Sequence, residues 1–165
     1  MNSSLNSQTN SLSYVRPVLV AYVRMMGPIE QAAAEAWSAL RSVPGLDIAA
    51  GYGLIHGSLC KPHDMFYDAC VELPDDASGL LDGSLATQTI AGGVHIASDP
   101  VSSHKLLMGT LSALTRDPLI GHGLTIAAER PAIVTYVRSP SARSQWTLSL
   151  NMPLCWSHEA QGKAA

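Results

Sequence analysis

Charge is what this chain has least of. Ten Lys and Arg against thirteen Asp and Glu make up 14% of 165 residues and leave a formal net charge of −3. The basic residues are scattered, with no run or stripe, which argues against direct nucleic-acid binding. Cysteine is scarce too, and Cys60, Cys70 and Cys155 form no Cys-x-x-Cys pair. Reduced, buried thiols are expected rather than a disulfide framework. The six histidines include no His-x-x-x-His or His-x-Glu arrangement, so neither a metal nor a cofactor is expected. There is no Gly-x-Ser-x-Gly elbow and no phosphate loop, which leaves nucleophilic catalysis without its usual marks. No apolar run is long enough to span a bilayer, and the Ser/Asn/Gln-rich start lacks the basic and apolar regions of a signal peptide. A cytoplasmic protein with no membrane contact is the expectation.

What is there is apolar and repeated. Hydrophobic residues are 47% of the chain, enough for one domain that buries about 70% of its unfolded surface. Val18 to Val23 reads as a strand that passes through Gly27-Pro28 into an alanine-rich helix ending near Val43. Gly93 to Ala97 reads as a second strand that passes through Asp99-Pro100 into a second helix ending near Thr115. Two more strand-like runs follow each helix. The first helix has Pro28 at its start, Glu30 in its first turn, and an apolar stripe of Ile29, Ala33, Ala36, Trp37, Leu40 and Val43. In the second, Asp99 can cap, Pro100 can start the helix, and Asp117-Pro118 breaks it.

Gly51 to His56 and Met65 to Leu73 are the strands that complete the first unit. Ala132 to Val137 and Gln145 to Met152 complete the second, with Trp146, Leu148, Leu150 and Met152 on one buried face. Gly92-Gly93 reads as a bulge or a close backbone approach where the second half begins. The expected fold is α+β: two β-α-β-β repeats related by a pseudo-twofold axis, an antiparallel sheet, and both helices on one face. Residues 1–14 and 157–165 are expected to be disordered. The domain spans 15–156, with repeats at 15–74 and 85–156 joined by an Asp/Gly/Ser-rich connector. A groove where two such halves meet is the natural ligand site.

Several segments, taken in order, resemble the GyrI-like effector-binding family, the ligand-binding module of AraC- and MerR-type multidrug-responsive regulators that also occurs alone. They are Ala21-Tyr22-Val23-Arg24 before Gly27-Pro28, then Gly53-Leu54-Ile55-His56, then Phe66-Tyr67-Asp68-Ala69-Cys70-Val71. Ile90-Ala91-Gly92-Gly93, Arg130-Pro131 leading to Tyr136, and Asn151-Met152-Pro153-Leu154 complete the set. The resemblance implies a stand-alone effector-binding domain whose inter-helix cleft takes amphipathic aromatic, often cationic, small molecules. It also implies a Glu-x-Tyr pattern whose acid faces the cation. Here the stretch is Val134-Thr135-Tyr136, so a valine stands where the acid would.

Tyr136, Trp146, Tyr67, Trp37, Val134 and His56 are therefore the candidate ligand-binding residues. Glu129, Asp68 and Glu72 are the candidate replacement acids. No catalytic residue is assigned. Two alternatives come from the resemblance: a protein-interaction module such as a DNA gyrase modulator, with Asp75, Asp76 and Asp82 as its acidic patch, and a cyclopropanoid hydrolase. The hydrolase needs a carboxyl in the cleft, which Val134 removes. A sheet edge in each half leaves room for a homodimer or a protein partner.

Overall fold

Alternating burial along the strands sets the architecture. In the computed structural model, residues 10–46, 48, 50–73, 85–117, 120–121, 123–138 and 146–157 are described. The elements run β1 (Ser11–Val15), β2 (Val18–Met26), α1 (Ile29–Arg41), β3 (Ala50–His56), β4 (Phe66–Glu72), β5 (Ala86–Ile90) and β6 (Gly93–Ala97). They continue with α2 (Leu107–Leu114), β7 (Leu124–Ile126), β8 (Ala132–Arg138) and β9 (Trp146–Trp156). The strands form one antiparallel sheet in the order β1-β6-β9-β8-β3-β4-β2-β5, with β7 paired to the far end of β9. The pseudo-twofold axis passes between β3 and β8. Each half carries a leading strand beyond the expected unit, the second half also has the short β7, and the leading strands are exchanged: β1 pairs with β6 and β5 with β2.

That exchange corrects the expected disorder of residues 1–14. Ser11 to Tyr14 form a strand because their partner lies some eighty residues away, with Leu12 opposite Ile96 and Tyr14 opposite Val94. Residues 1–9 and 158–165, the 74–84 connector with Asp75, Asp76 and Asp82, and Pro118 lie outside the described residues. Gly92 does mark a close approach: a Cβ there would lie 2.6 Å from Pro17 Cδ and 2.7 Å from the Val15 carbonyl oxygen.

The core has two sides. Ala33, Ala36, Trp37 and Leu40 of α1 pack on Tyr67, Ala69, Val134, Tyr136, Leu148 and Leu150 of the sheet. Ala33 and Ala36 have no exposed surface, and such small residues bring the helix close to the strands. The other face of the sheet buries Val18, Val20, Leu54, Cys70, Ile90 and Ile133.

The second helix departs from its expected start. Asp99-Pro100 does not open it. Val101 instead makes a bridge to Leu148, with Val101 N donating to Leu148 O at 2.7 Å and Leu148 N to Val101 O at 2.9 Å. A single 3-10 turn over His104–Leu106, whose preceding Ser103 Oγ accepts from Lys105 N, then leads into α2. Residues 98–104 thus lie along β9, and this places Ser102, Ser103 and His104 beside the sheet.

His95 is fully buried on β6, its Nδ1 2.9 Å from the Gly93 carbonyl and its Nε2 without a hydrogen-bond partner among the described residues. Burial, and to a lesser degree the Arg130 charge, holds its pKa below the ordinary histidine value despite the Gly93 bond. A depressed folded pKa means that the neutral ring's contribution is complete above the unfolded value of about 6.5 and is lost as pH falls below it. The expected outcome is a melting temperature that drops from pH 7 to pH 5 in the native chain and drops less in His95→Leu. Parallel slopes in the two proteins would exclude His95 as the cause.

Candidate functional site

Two glycines on β3 shape the site. Gly51 and Gly53 point toward α1 where other strands carry side chains. A Cβ on Gly51 would collide with the Trp37 ring, and one on Gly53 with the Tyr67 hydroxyl. Their lack of side chains leaves room over β3 for the Trp37 ring and the Tyr67 hydroxyl. Trp37 Nε1 donates to the Tyr67 hydroxyl at 3.3 Å, Tyr67 hydrogen-bonds Tyr136 through their hydroxyls, and the Tyr136 hydroxyl lies 2.6 Å from His104 Nε2. Burial, with the Arg41 charge next, lowers the His104 pKa. A neutral imidazole can accept at Nε2, so the chain Trp37, Tyr67, Tyr136, His104 runs in one donor direction. Burial pushes the Tyr136 hydroxyl up to about 12 and raises Tyr67 well above its ordinary value, so both donate as neutral phenols.

The rings stand around a cleft. Trp37 and Tyr136 meet edge to face at 4.9 Å, Trp146 lies 5.9 Å from Trp37 and 5.8 Å from Tyr136, and His104 lies 5.5 Å from Tyr136. The cavity they line measures about 220 Å³. Leu148 forms its floor, and Arg41, Ser102 and Ser103 its rim. Aromatic walls with a few polar groups at one end suit a flat ring system with a polar substituent. A second groove of about 260 Å³, lined in part by Ile55, Leu59, Leu111, Met152 and Glu129, opens at the opposite end of the β3–β8 pair.

The sequence candidates divide between these places. Trp37, Tyr136 and Trp146 line the aromatic cleft. Tyr67 is fully buried beneath it and acts through Tyr136. Val134 is fully buried in the core and forms no part of the wall. His56 borders the second groove, stacked on Phe66 with ring centroids 4.4 Å apart.

None of the three acids reaches the aromatic cleft. Glu129 is exposed beside the second groove. Asp68 alternates with Tyr67 and Ala69 along β4, so it points to the opposite face. There it takes Arg24 Nε at 2.7 Å and Nη2 at 2.9 Å, His56 Nε2 at 3.0 Å and Gln88 Nε2 at 2.9 Å. Burial pushes its carboxyl up, but the hydrogen bonds from Arg24, His56 and Gln88 outweigh this and hold it well below the usual carboxylate range. It clamps strands β2 to β5 together. Glu72 shares that outer face and pairs with Arg16.

Arg41, Ser102, Ser103 and His104 are site residues that the pattern of the chain did not reveal. The glycine pair on β3 was the readable signal, since alternate glycines in a strand mark a surface that something approaches closely.

No protein-family model matches the chain, and no curated protein matches it in sequence. Solved structures do match. The C-terminal domain of EcmrR aligns with a TM-score of 0.57 at 13% identity, over 92% of this chain and 99% of that domain. Against EcmrR in its DNA complex, the chain spans only 60% of the longer polypeptide. SAV2435 bound to tetraphenylphosphonium aligns with a TM-score of 0.59 at 13% identity, over 89% of this chain and 94% of that one. A hydrolase from Listeria innocua aligns with a TM-score of 0.52 at 11% identity, over 88% and 91% of the two chains. What is shared at such identities is the backbone arrangement. The chain has the GyrI-like fold that its ordered motifs imply.

Proposed function

We propose that this protein is a small-molecule-binding domain of the effector-binding type, holding an amphipathic aromatic compound in the cleft between α1 and residues 102–104. The observation that carries this reading is the set of three mutually contacting rings, Trp37, Tyr136 and Trp146, around an open volume of about 220 Å³. That volume lies below the roughly 300 Å³ at which drug-sized pockets begin, so the bound portion is one or two fused rings. SAV2435 holds tetraphenylphosphonium in the same fold, and this supports the assignment. No helix among the described residues is long and apolar enough to cross a membrane. Cys70 is buried as expected, but Cys60 and Cys155 are exposed; free surface thiols suit the reducing cytoplasm, which we propose as its setting.

Binding without catalysis is part of the proposal. The cyclopropanoid hydrolase that the resemblance implies needs an acidic residue in the cleft. The described residues that line the cleft include none.

Trp146 is only part-buried, so its truncation removes a wall while sparing most of the core. Trp146→Ala is expected to weaken binding of 2-naphthylmethanol by about tenfold in isothermal titration calorimetry, the loss of one well-placed stacking contact. Native affinity in that variant would remove the cleft as the site.

A further inference from the structure

The polar end of the cleft has a definite sign. Among the described lining residues, Arg41 carries the one formal charge, since His104 is held neutral. Arg41 lies in the last turn of α1 with its guanidinium 5.9 Å from the centroid of the Trp37 ring. No carboxylate among the described residues is within ion-pair distance of it. Glu30, at the other end of the same helix, faces Lys105 at 3.9 Å. Ser103 Oγ accepts the Lys105 backbone N–H at 3.2 Å, which leaves its own proton to donate.

A cation entering this cleft meets a like charge, and it finds the nearest wall ring already facing the guanidinium. An anion meets a guanidinium with no carboxylate partner among the described residues, and such a group binds a carboxylate through two parallel hydrogen bonds. We infer that the cleft selects an aryl carboxylate, its rings among Trp37, Tyr136 and Trp146 and its carboxylate on Arg41 and Ser103. The inference rests on the ligand-binding reading of the cleft and adds the charge of the ligand. It reverses the cationic preference implied by the sequence resemblance, and the valine at position 134 accords with that reversal.

The test uses three probes of matched shape: 2-naphthoate, 2-naphthylmethanol and 2-naphthylmethylammonium, titrated calorimetrically into the full chain. The anion is expected to bind about tenfold tighter than the neutral probe, and the cation weakest. Because Arg41 is exposed, Arg41→Gln should fold normally. It is expected to bring the anion to within about twofold of the neutral probe, with Arg41→Lys keeping part of the preference. Added salt should shrink the native preference and leave the neutral probe unchanged. A native chain that binds all three alike, or the cation best, overturns the inference while the site stands. An anion preference that survives in Arg41→Gln overturns it as well. Failure of all three probes to bind removes the site itself, and the inference with it.

Discussion

Replacing Gly53 with alanine is expected to destabilise the protein by about 3 kcal/mol, at the upper end for overpacking a core by one methyl group. The new Cβ would meet the hydroxyl of Tyr67, a residue with no exposed surface. Shifting that ring also breaks the bonds from Trp37 and to Tyr136, leaving buried polar atoms unpaired. Gly109→Ala supplies the control. Gly109 sits inside α2 with nothing within 4 Å of its notional Cβ, so alanine there is expected to be neutral or to stabilise by up to about 1 kcal/mol. Urea unfolding of both variants decides the matter. If Gly53→Ala unfolds at the native midpoint, Tyr67 does not rest on β3, and the aromatic chain above it is misplaced.

Val134→Glu is expected to be comparably damaging, by about 3 kcal/mol or more at neutral pH. Placing at this position the acid that the resemblance implies puts a carboxyl where Val134 is fully buried, opposite Gly53 on β3 and Leu150 on β9. Among the described residues no Lys or Arg is buried to pair with it. Burial raises the folded pKa of the new carboxyl above its unfolded value of about 4.3. The deficit is therefore smallest below pH 4 and grows as pH rises through the interval between the two values. Melting temperatures of the variant and the native chain, compared from pH 3.5 to pH 7.5, should diverge upward through that range. A stable variant that gains affinity for 2-naphthylmethylammonium would show instead that position 134 opens into the cleft.

Much of this fold is legible in the chain because burial repeats with the period of each element. The stripe from Ile29 to Leu40 has helical spacing, and Trp146, Leu148, Leu150 and Met152 alternate as a one-sided strand must. Elements that depend on distant partners are less legible. The strand at Ser11–Val15 exists only against β6, and nothing local in a serine-rich segment announces it. The start of α2 was obscured because Pro100 is a good helix opener, yet the Val101–Leu148 bridge overrides it.

The site follows the same division. In a chain with one Phe, Tyr136, Trp146 and Trp37 stand out by scarcity, and all three line the cleft. The acids were open to an elementary check, since Asp68 is one residue from Tyr67 on a strand and cannot share its face. Arg41 gave no signal because an arginine near a helix end also suits the dipole. Ser103 and His104 gave none because both fall within the run expected to be helical.

The aromatic cleft is the centre of this account, and the indole N–H resonances of the protein test it most directly. The chain has three tryptophans, two in the cleft and one, Trp156, 68% exposed at the far end of β9. Titration of 15N-labelled protein with 2-naphthylmethanol is predicted to move the Trp37 and Trp146 indole peaks together and saturably while Trp156 stays in place. Shifts confined to Trp156, or none at any of the three, would contradict the placement of the ligand site between α1 and the sheet.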